Sequence, residues 1–280
     1  MVDTCRITVL SENTAHDECL IPEYGLSLWI EVDGVKILFD TGQSDNFARN
    51  AERIDVPLEQ ADFLVVSHGH FDHTGGIAHA LTKCPGVRIY LHPDALVTRY
   101  IRLAPNSVLQ IGMPDPSRKA LEAKHAQCHW TEKPTRISEH AFITGPVPRD
   151  TDFETIGEDF WLDENCSTPD HIHDDQSLWL ETSKGLVVIL GCAHAGVVNT
   201  IEFMQRMSGI HTVRAVIGGM HLMNSSTGRI DATAQALEKL GIGILAPCHC
   251  TGEVATEHLR KHHAEVFQPC GTGSILSFDL

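Results

Sequence analysis

Apolar residues in the first half of the chain form short runs separated by polar turns, a pattern typical of β-strands. Two of these runs are joined by Asp33-Gly34, a dipeptide that favours a tight hairpin turn. Between other runs, apolar residues recur at helical spacing. The pattern predicts strands at 26–32, 36–40, 63–66 and 87–91 and helices at 46–53 and 77–82. Alternating strands and helices are typical of a layered α/β fold.

The second half of the chain repeats this order and again starts with a hairpin, here across residues 183–185. It predicts strands at 177–181, 186–190, 213–217, 242–246 and 275–278 and helices at 196–207 and 231–240. In both halves, predicted strands end at Asp, Cys or His residues. We therefore predict an α/β (α+β) fold in which two sheets pack together, helices cover their outer faces, and the polar strand ends meet at one edge.

The pattern weakens between residues 101 and 169, which contain seven prolines. An acidic stretch at 150–164 lies within this segment and includes the aromatic residues Phe160 and Trp161. Long irregular segments inside compact domains often act as lids or binding loops. We interpret residues 101–169 as an insertion in a single domain spanning 1–280. Both a lid and a solvated excursion without a role remain open for it.

The composition restricts the classes of partner. A formal charge of −16 argues against a surface that binds nucleic acid, because phosphate binding requires clustered Lys and Arg. No apolar run reaches the length of a membrane span, and residues 1–10 lack the pattern of a signal peptide. We expect a cytoplasmic protein that acts on a small molecule, with no membrane partner. The nine scattered cysteines fit reduced thiols better than a disulfide framework.

Histidine is unusually frequent, with 18 residues, and imidazole is the commonest metal ligand in proteins. The segment 68–73, with the sequence HGHFDH, places three imidazoles and one carboxylate directly after a predicted buried strand. Alternate residues His68 and His70 point the same way from an extended loop, while Asp72 and His73 reach a neighbouring position. One loop can therefore serve two metal ions.

The order His-x-His-x-Asp-His after an apolar strand resembles the defining motif of the metallo-β-lactamase superfamily. The resemblance implies a four-layer αββα sandwich with metal at its edge. It also implies that Asp40, in the run FDTG, steadies the metal-binding loop by fixing the ligating histidines. Flavin-linked di-iron members of the family usually carry Glu at the place of His70, so a hydrolase-like centre is implied. We expect two divalent metal ions, with zinc favoured over iron or manganese.

The resemblance leaves alternatives open for the metal ligands from the second half of the chain. In many members the third histidine precedes the second hairpin, which points to His171 or His173, and an Asp that bridges the metals follows that hairpin. Here the position after the hairpin is occupied by Cys192, with His194 two residues later. Cys192 could bind a metal as a thiolate or pack as a small buried residue.

The chain is more similar to a narrower branch of the superfamily, which includes proteins like the archaeal synthase that joins a dihydropterin to a ribofuranosylaminobenzene phosphate. Four motifs carry this similarity: DDQSL at 174–178, GCAHAGVVN at 191–199, GGMHL at 218–222 and HCTG at 249–252. Within this branch, His194 and His249 resemble the last two metal ligands. The implied ligand set is therefore His68, His70, Asp72, His73, His194 and His249.

The expected function follows from this centre. Two metal ions can lower the pKa of a shared water and orient the substrate oxygen. We therefore expect a metal-dependent hydrolase of a small anionic ester or phosphate, in which Asp72 accepts a proton and His221 meets developing charge or a leaving group. One alternative is a pterin-type transferase like the archaeal synthase. Another is a metal-holding sensor of a ligand or redox state that uses Cys192, Cys248 or Cys250.

Overall fold

The computed structural model describes residues 4–155 and 159–280. Its strands are β1 (Thr4–Ser11), β2 (Ser27–Val32), β3 (Val35–Phe39), β4 (Phe63–Val65), β5 (Arg88–Leu91), β6 (Tyr100–Ala104), β7 (Ser107–Gln110), β8 (Cys128–Trp130), β9 (Thr135–Arg136), β10 (Ala141–Ile143), β11 (Phe160–Trp161), β12 (Leu178–Thr182), β13 (Gly185–Leu190), β14 (Val213–Gly219), β15 (Leu245–Cys248) and β16 (Ile275–Asp279). Its α-helices are α1 (Asn46–Arg53), α2 (Phe71–Thr74), α3 (Ile77–Lys83), α4 (Asp115–Ala123), α5 (Val197–Ser208), α6 (Thr227–Leu240) and α7 (Glu253–His262). None of the helices in these described residues is both long and apolar enough to cross a membrane.

The strands form two large sheets and one small one. The first large sheet has the order β16-β1-β2-β3-β4-β5-β8, and the second has the order β15-β14-β13-β12-β10-β9. The small sheet has the order β11-β6-β7. In the first sheet β3, β4 and β5 run parallel, and in the second β13, β14 and β15 run parallel. Parallel strands end at the same edge, so each large sheet brings several carboxyl ends together.

The alternation of side chains along the strands explains the layers. In β2, Leu28 and Ile30 point into a core between the two large sheets, whereas Trp29 points into an outer core formed with α1 and α3. In β13, Val187 faces the same central core, and Val188 faces an outer core formed with α5, α6 and α7. Helices therefore cover both outer faces, which confirms the predicted four-layer αββα sandwich.

Two predicted elements differ from the observed ones by more than two residues. The helix predicted at 231–240 begins at Thr227, because the Ser226 side chain caps its first turn. The strand predicted at 242–246 is displaced toward the carboxyl terminus and forms β15. Ile242, which the pattern placed in that strand, packs instead in the outer core with the helices.

The segment predicted as an insertion, residues 101–169, contributes to all three sheets. It supplies most of the small sheet, adds β8 beside β5 in the first large sheet, and adds β9 and β10 to the second. Its strands are only two to five residues long, which gives too few alternations for a pattern to predict them. Residues 156–158 of the acidic stretch lie outside the described residues.

Asp33, in the turn between β2 and β3, ties this hairpin to the loop between β9 and β10 of the other sheet. Its carboxylate accepts hydrogen bonds from the Ser138 hydroxyl at 2.6 Å and from the His140 N–H at 2.7 Å, and it lies 2.6 Å from His140 Nδ1. Burial on its own raises the pKa of Asp33, but the contacts to Ser138 and His140 outweigh it and hold the pKa below its usual range.

We expect Asp33→Asn to lower the free energy of unfolding by about 1–2 kcal/mol near neutral pH, because the amide offers one acceptor oxygen and no charge. Since the pKa is lowered on folding, the contribution is present above the ordinary value of 3.8 and is lost as pH falls through the lower folded value. Urea unfolding at neutral and acidic pH measures this difference. Asp55→Asn is the control, since Asp55 is exposed and also has positive φ. Equal losses in the two variants would contradict the prediction.

Candidate metal centre

Polar residues follow the carboxyl ends of five parallel strands, and the fold gathers them at one edge of the sandwich. They are Asp40 after β3, His68 after β4, His194 after β13, His221 after β14 and His249 after β15. The first two belong to one large sheet and the others to the second, so the centre lies between the sheets. All except His221 are at most 3 % exposed.

Four of these strand ends turn in the left-handed backbone conformation. The φ angles are 57° at Asp40, 53° at Ala193, 48° at His221 and 53° at His249. Outside glycine this conformation costs about 1 kcal/mol or more, and it clusters at functional sites. Each of these turns changes the direction of the chain at or next to the polar residue that follows the strand.

Asp40 is a buried acceptor for the loop that carries the histidine motif. Its Oδ1 accepts from the Ser67 N–H at 2.7 Å, and its Oδ2 accepts from the Ser67 hydroxyl at 2.6 Å. Oδ2 also lies 2.7 Å from His73 Nδ1. The Ser67 hydroxyl donates its one hydrogen bond to Asp40. Its oxygen therefore accepts a hydrogen bond from His68 Nδ1 at 2.9 Å. Both imidazoles therefore carry their proton on Nδ1, and the Nε2 atoms of His68 and His73 face the centre.

Three histidines form the first group of donor atoms. His68 Nε2 lies 3.0 Å from His70 Nδ1 and 3.2 Å from His194 Nε2. His70 Nε2 is buried and has no hydrogen-bond partner among the described residues. Arg149 holds the strand end that carries His194, because its Nη1 donates to the His194 carbonyl oxygen at 2.7 Å. His68 Nε2 thus lies within 3.2 Å of ring nitrogens from two separate parts of the chain.

Asp72, His73 and His249 form the second group of donor atoms. His73 Nε2 lies 3.1 Å from His249 Nε2, and Asp72 Oδ2 lies 3.8 Å from the former and 3.3 Å from the latter. Two residues after β1 hold His249 in place. Its Nδ1 lies 3.1 Å from Asn13 Oδ1, and its backbone N–H donates to Glu12 Oε1 at 2.7 Å.

The donor atoms of both groups fit bound cations. Asp40 accepts a hydrogen bond from Nδ1 of His73 and Asn13 accepts one from Nδ1 of His249, so the two Nε2 atoms face each other at 3.1 Å. Facing lone pairs repel unless a proton or a metal ion lies between them. His68 Nε2 likewise lies within 3.2 Å of two further ring nitrogens. Imidazole and carboxylate donors of this kind suit zinc, iron and manganese.

The pKa values distinguish the two groups. Burial lowers the pKa of His68 and of His194 far below the usual range, and neighbouring imidazoles lower it further. Burial also lowers the pKa of His73, but Asp72 and Asp40 outweigh it and raise the pKa to about 9. Burial raises the pKa of Asp72, but the histidines beside it outweigh burial and hold the pKa below its usual range. The second group therefore contains a carboxylate that stays ionised, whereas burial keeps His68 and His194 of the first group neutral.

Asp174 and Arg99 form a buried support beside the histidine motif, and the sequence analysis did not identify it. Asp174 Oδ2 accepts from the Gly69 N–H at 2.7 Å, in the middle of the motif. Arg99 Nη1 donates to the same oxygen at 2.8 Å, and Arg99 Nε donates to Asp170 Oδ2 at 2.8 Å. Arg99 is 1 % exposed, so these ion pairs are buried.

Asp175 and Gln176, which follow Asp174 in the chain, connect the two halves of the centre. Asp175 Oδ2 accepts from the Ala195 N–H at 2.8 Å, next to His194. The backbone N–H of Gln176 donates to the Ser67 carbonyl oxygen at 3.0 Å. The motif DDQSL, which similarity alone had singled out, thus bridges the histidine loop and the strand end that carries His194.

Sequence reasoning also missed Glu12 and Asn13, which hold His249. They follow β1, a strand that was not predicted. The alternation of buried Ile7 and Val9 with polar residues in β1 is the signal that could have located them.

The competing candidates for the third histidine lie in different environments. His171 and His173 are exposed, their ring centroids are 5.7 Å apart, and within the described chain they belong to no group of three metal donors. His194 is buried and has Nε2 in the first donor group. Cys192 also lies at the centre, with its sulfur 3.1 Å from His73 Nε2. The structure thus brings His194 and Cys192 to the centre and leaves the other two outside it.

A cavity of about 240 Å³ opens over both donor groups. His70, Asp72 and His194 line it, together with His221, whose ring centroid is 4.2 Å from that of His194. The rest of the wall is largely apolar and includes Phe71, Ile101, Leu103, Ile111, Phe160 and Met223. The cavity therefore joins candidate metal donors to an apolar surface.

Comparisons with known proteins show the family. The sequence profile of the metallo-β-lactamase superfamily matches residues 20–189. The chain is 30 % identical to a 7,8-dihydropterin-6-methyl-4-(β-D-ribofuranosyl)-aminobenzene-5'-phosphate synthase from Methanocaldococcus jannaschii. That alignment covers 99 % of this chain and 98 % of the archaeal protein.

Two solved structures share the fold. A metal-dependent hydrolase of the β-lactamase superfamily is 29 % identical, with a TM-score of 0.82, and the match covers 99 % of this chain and 100 % of that one. Zn²⁺-bound PqqB from Methylobacterium extorquens is 15 % identical, with a TM-score of 0.56 over 98 % of this chain and 100 % of that one, which shows the fold alone. The profile match and the full-length archaeal relative decide the family. The chain belongs to the metallo-β-lactamase superfamily.

Proposed function

We propose that this protein is a metal-dependent hydrolase of a small anionic ester or phosphate that uses two divalent ions, with zinc favoured over iron or manganese. The observation that carries the proposal is the pair of donor groups, in which ring nitrogens face one another at 3.0–3.2 Å beneath a cavity. The residues that hold the ions are, for one, His68, His70 and His194 and, for the other, Asp72, His73 and His249.

In the proposed reaction, the ions and two side chains have separate roles. Bound divalent ions supply Lewis-acid polarisation of a substrate oxygen and lower the pKa of water. The Asp72 carboxylate lines the cavity in its ionised form and accepts a proton from the attacking water. His221 stands in the cavity wall beside His194 and meets the charge that develops on the leaving group.

The charges around the cavity support an ion-dependent reaction. Within the described residues, the cavity lining includes no Lys or Arg. An anionic ester or phosphate therefore has to find its counter-charge in the ions that the donor groups hold. This matches a metal-dependent enzyme better than one that binds its substrate through basic side chains.

The small sheet is the proposed substrate-selecting element. Ile101 and Leu103 of β6 and Phe160 of β11 line the cavity, and Ile111 follows β7. We propose that this sheet acts as a lid over the centre. Its apolar side chains favour a substrate that carries an apolar or aromatic group beside the anionic one.

A transferase is the second candidate, because the archaeal relative that is similar over 99 % of this chain is named a synthase. The same centre serves either outcome, since a polarised leaving group can be displaced by water or by an amine. The two candidate functions differ in the acceptor, which is water for the hydrolase and an amine for the transferase. An assay with and without an amine acceptor therefore distinguishes them.

Metal content and turnover test the proposal together. We expect about two zinc ions per chain by elemental mass spectrometry, and fewer in His68→Ala, His194→Ala and His249→Ala. The same samples are assayed on phosphate monoesters, phosphate diesters and carboxylic esters, with and without an arylamine acceptor. Turnover without acceptor that a chelator removes and zinc restores supports the hydrolase, whereas turnover that requires the arylamine identifies the transferase.

His171→Ala and His173→Ala are the matched controls, since both histidines are exposed and lie outside the donor groups. We expect both variants to keep the full metal content. A loss in either, with full content in His194→Ala, would transfer the ligand role to that residue. A native chain without bound metal and without turnover would refute the proposed function.

A further inference from the structure

We infer that Cys192 is a sulfur ligand shared by the two metal positions, so that one thiolate bridges the two donor groups. The inference rests on the proposed metal centre and adds the residue that joins its halves. The superfamily resemblance implies an oxygen ligand after the second hairpin, and this chain has sulfur at that place.

The end of β13 carries Cys192 to a position between the two groups. Gly191, just before it, packs closely against the histidine loop, since a Cβ on residue 191 would lie 2.3 Å from Ser67 Oγ. Glycine at this position therefore lets the strand end reach the loop. Ala193 then turns the chain in the left-handed conformation, which returns His194 to the same centre.

The sulfur of Cys192 lies close to ligand atoms of both groups. Its Sγ is 3.1 Å from His73 Nε2. It lies within 4.8 Å of ligand nitrogens of His68 and His194 on one side and of His73 and His249 on the other. The residue is 3 % exposed. A cysteine that only filled space would have apolar neighbours, whereas this sulfur lies among imidazoles and the sulfur of Cys250.

Charge balance favours a thiolate at this place. Of the six residues in the two donor groups, Asp72 alone is a carboxylate, and it has to compensate two divalent ions. A Cys192 thiolate adds a second negative charge between them, where it reduces their mutual repulsion most. Sulfur donors suit zinc and other soft or borderline ions better than manganese or magnesium, so a thiolate at this place would favour zinc.

Cys250 is the competing sulfur and serves as the control. Its Sγ lies 3.6 Å from the Cys192 carbonyl oxygen and accepts a hydrogen bond from the His221 N–H at 3.3 Å. Among groups of possible metal donors in the described residues, Cys250 occurs with Cys192 and His221 and with neither histidine cluster. A Cys250 variant thus removes a neighbouring buried sulfur and leaves both clusters intact.

The test uses the full chain loaded with cobalt(II), because a cobalt–thiolate bond gives an intense near-ultraviolet charge-transfer band that nitrogen and oxygen ligands do not give. We expect this band in the native chain and in Cys250→Ser, and its loss in Cys192→Ser and Cys192→Asp. Cys192→Asp keeps a donor that can bridge, so we expect it to retain about two cobalt ions without the band. X-ray absorption of the zinc-loaded native chain needs no variant and should show sulfur at about 2.3 Å, with about one sulfur per zinc because a shared sulfur is counted by both ions, whereas a sulfur on one ion alone would give about half that number.

Each outcome decides the assignment. A band that persists in both Cys192 variants, or a native zinc spectrum without sulfur, overturns the inference and leaves a centre of nitrogen and oxygen ligands. A band that disappears only in Cys250→Ser assigns the sulfur to Cys250 and also overturns it. A native chain that binds neither cobalt nor zinc overturns the inference and the proposed function together.

Discussion

Asp72→Asn is expected to lower turnover by about 10²- to 10⁴-fold and to remove metal from the second donor group. Asparagine keeps the size of the side chain and one oxygen, but it loses the charge that faces His249 Nε2 at 3.3 Å and His73 Nε2 at 3.8 Å. It also loses the site that accepts a proton. Turnover, metal content and circular dichroism on the same sample separate loss of chemistry from loss of fold.

Asp115→Asn is the control for this variant. Asp72 lies in the first turn of α2 and Asp115 in the first turn of α4, so both substitutions remove a charge from a helix start. Asp115 is exposed and far in sequence from the donor groups. We expect unchanged turnover and metal content in the control. Retained turnover in Asp72→Asn would exclude Asp72 from the reaction.

Arg99→Met is expected to have the largest effect on stability, a loss of about 3–5 kcal/mol in the free energy of unfolding. The substitution leaves the Asp174 and Asp170 carboxylates buried without their guanidinium partner. Because Asp174 also accepts from the Gly69 N–H, the same change loosens the histidine loop. Urea unfolding measures the stability, and metal content reports the effect on the loop.

Two further variants make this result specific. Arg102→Met removes an ion pair of similar length, 2.7 Å to Asp159, but on the surface, so we expect a much smaller loss than in Arg99→Met. The triple variant that adds Asp170→Asn and Asp174→Asn to Arg99→Met should recover part of the stability, because no buried charge is left unpaired. Equal losses in Arg99→Met and Arg102→Met would show that burial of the pair does not matter.

The hydrophobic pattern predicted the parts of the fold in which long buried strands are separated by distinct turns. The hairpin at Asp33-Gly34 and the one across 183–185 are of this kind, and both were found. The strands between residues 100 and 161 were not predicted, since pairing with distant strands stabilises them. β8, for example, exists because it lies beside β5, and nothing in the three residues of β8 specifies that neighbour.

The candidate site divides in the same way. The histidine motif was visible because its donors lie within six residues, whose spacing alone brings them together. The contact of Asn13 with His249 spans 236 residues and depends on the order of strands in two sheets. The choice between His171 and His194 likewise depends on where β13 ends relative to β4. No local pattern carries that information.

Asp40 gives the centre a property that neither donor group has alone. One carboxylate orients His73 directly and His68 through the Ser67 hydroxyl, although these histidines belong to different donor groups. The loop therefore reaches its binding geometry as a unit. In the proposed centre, the two metal positions therefore share one hydrogen-bond network, so Asp40 is the residue through which binding of an ion at one position is coupled to binding at the other.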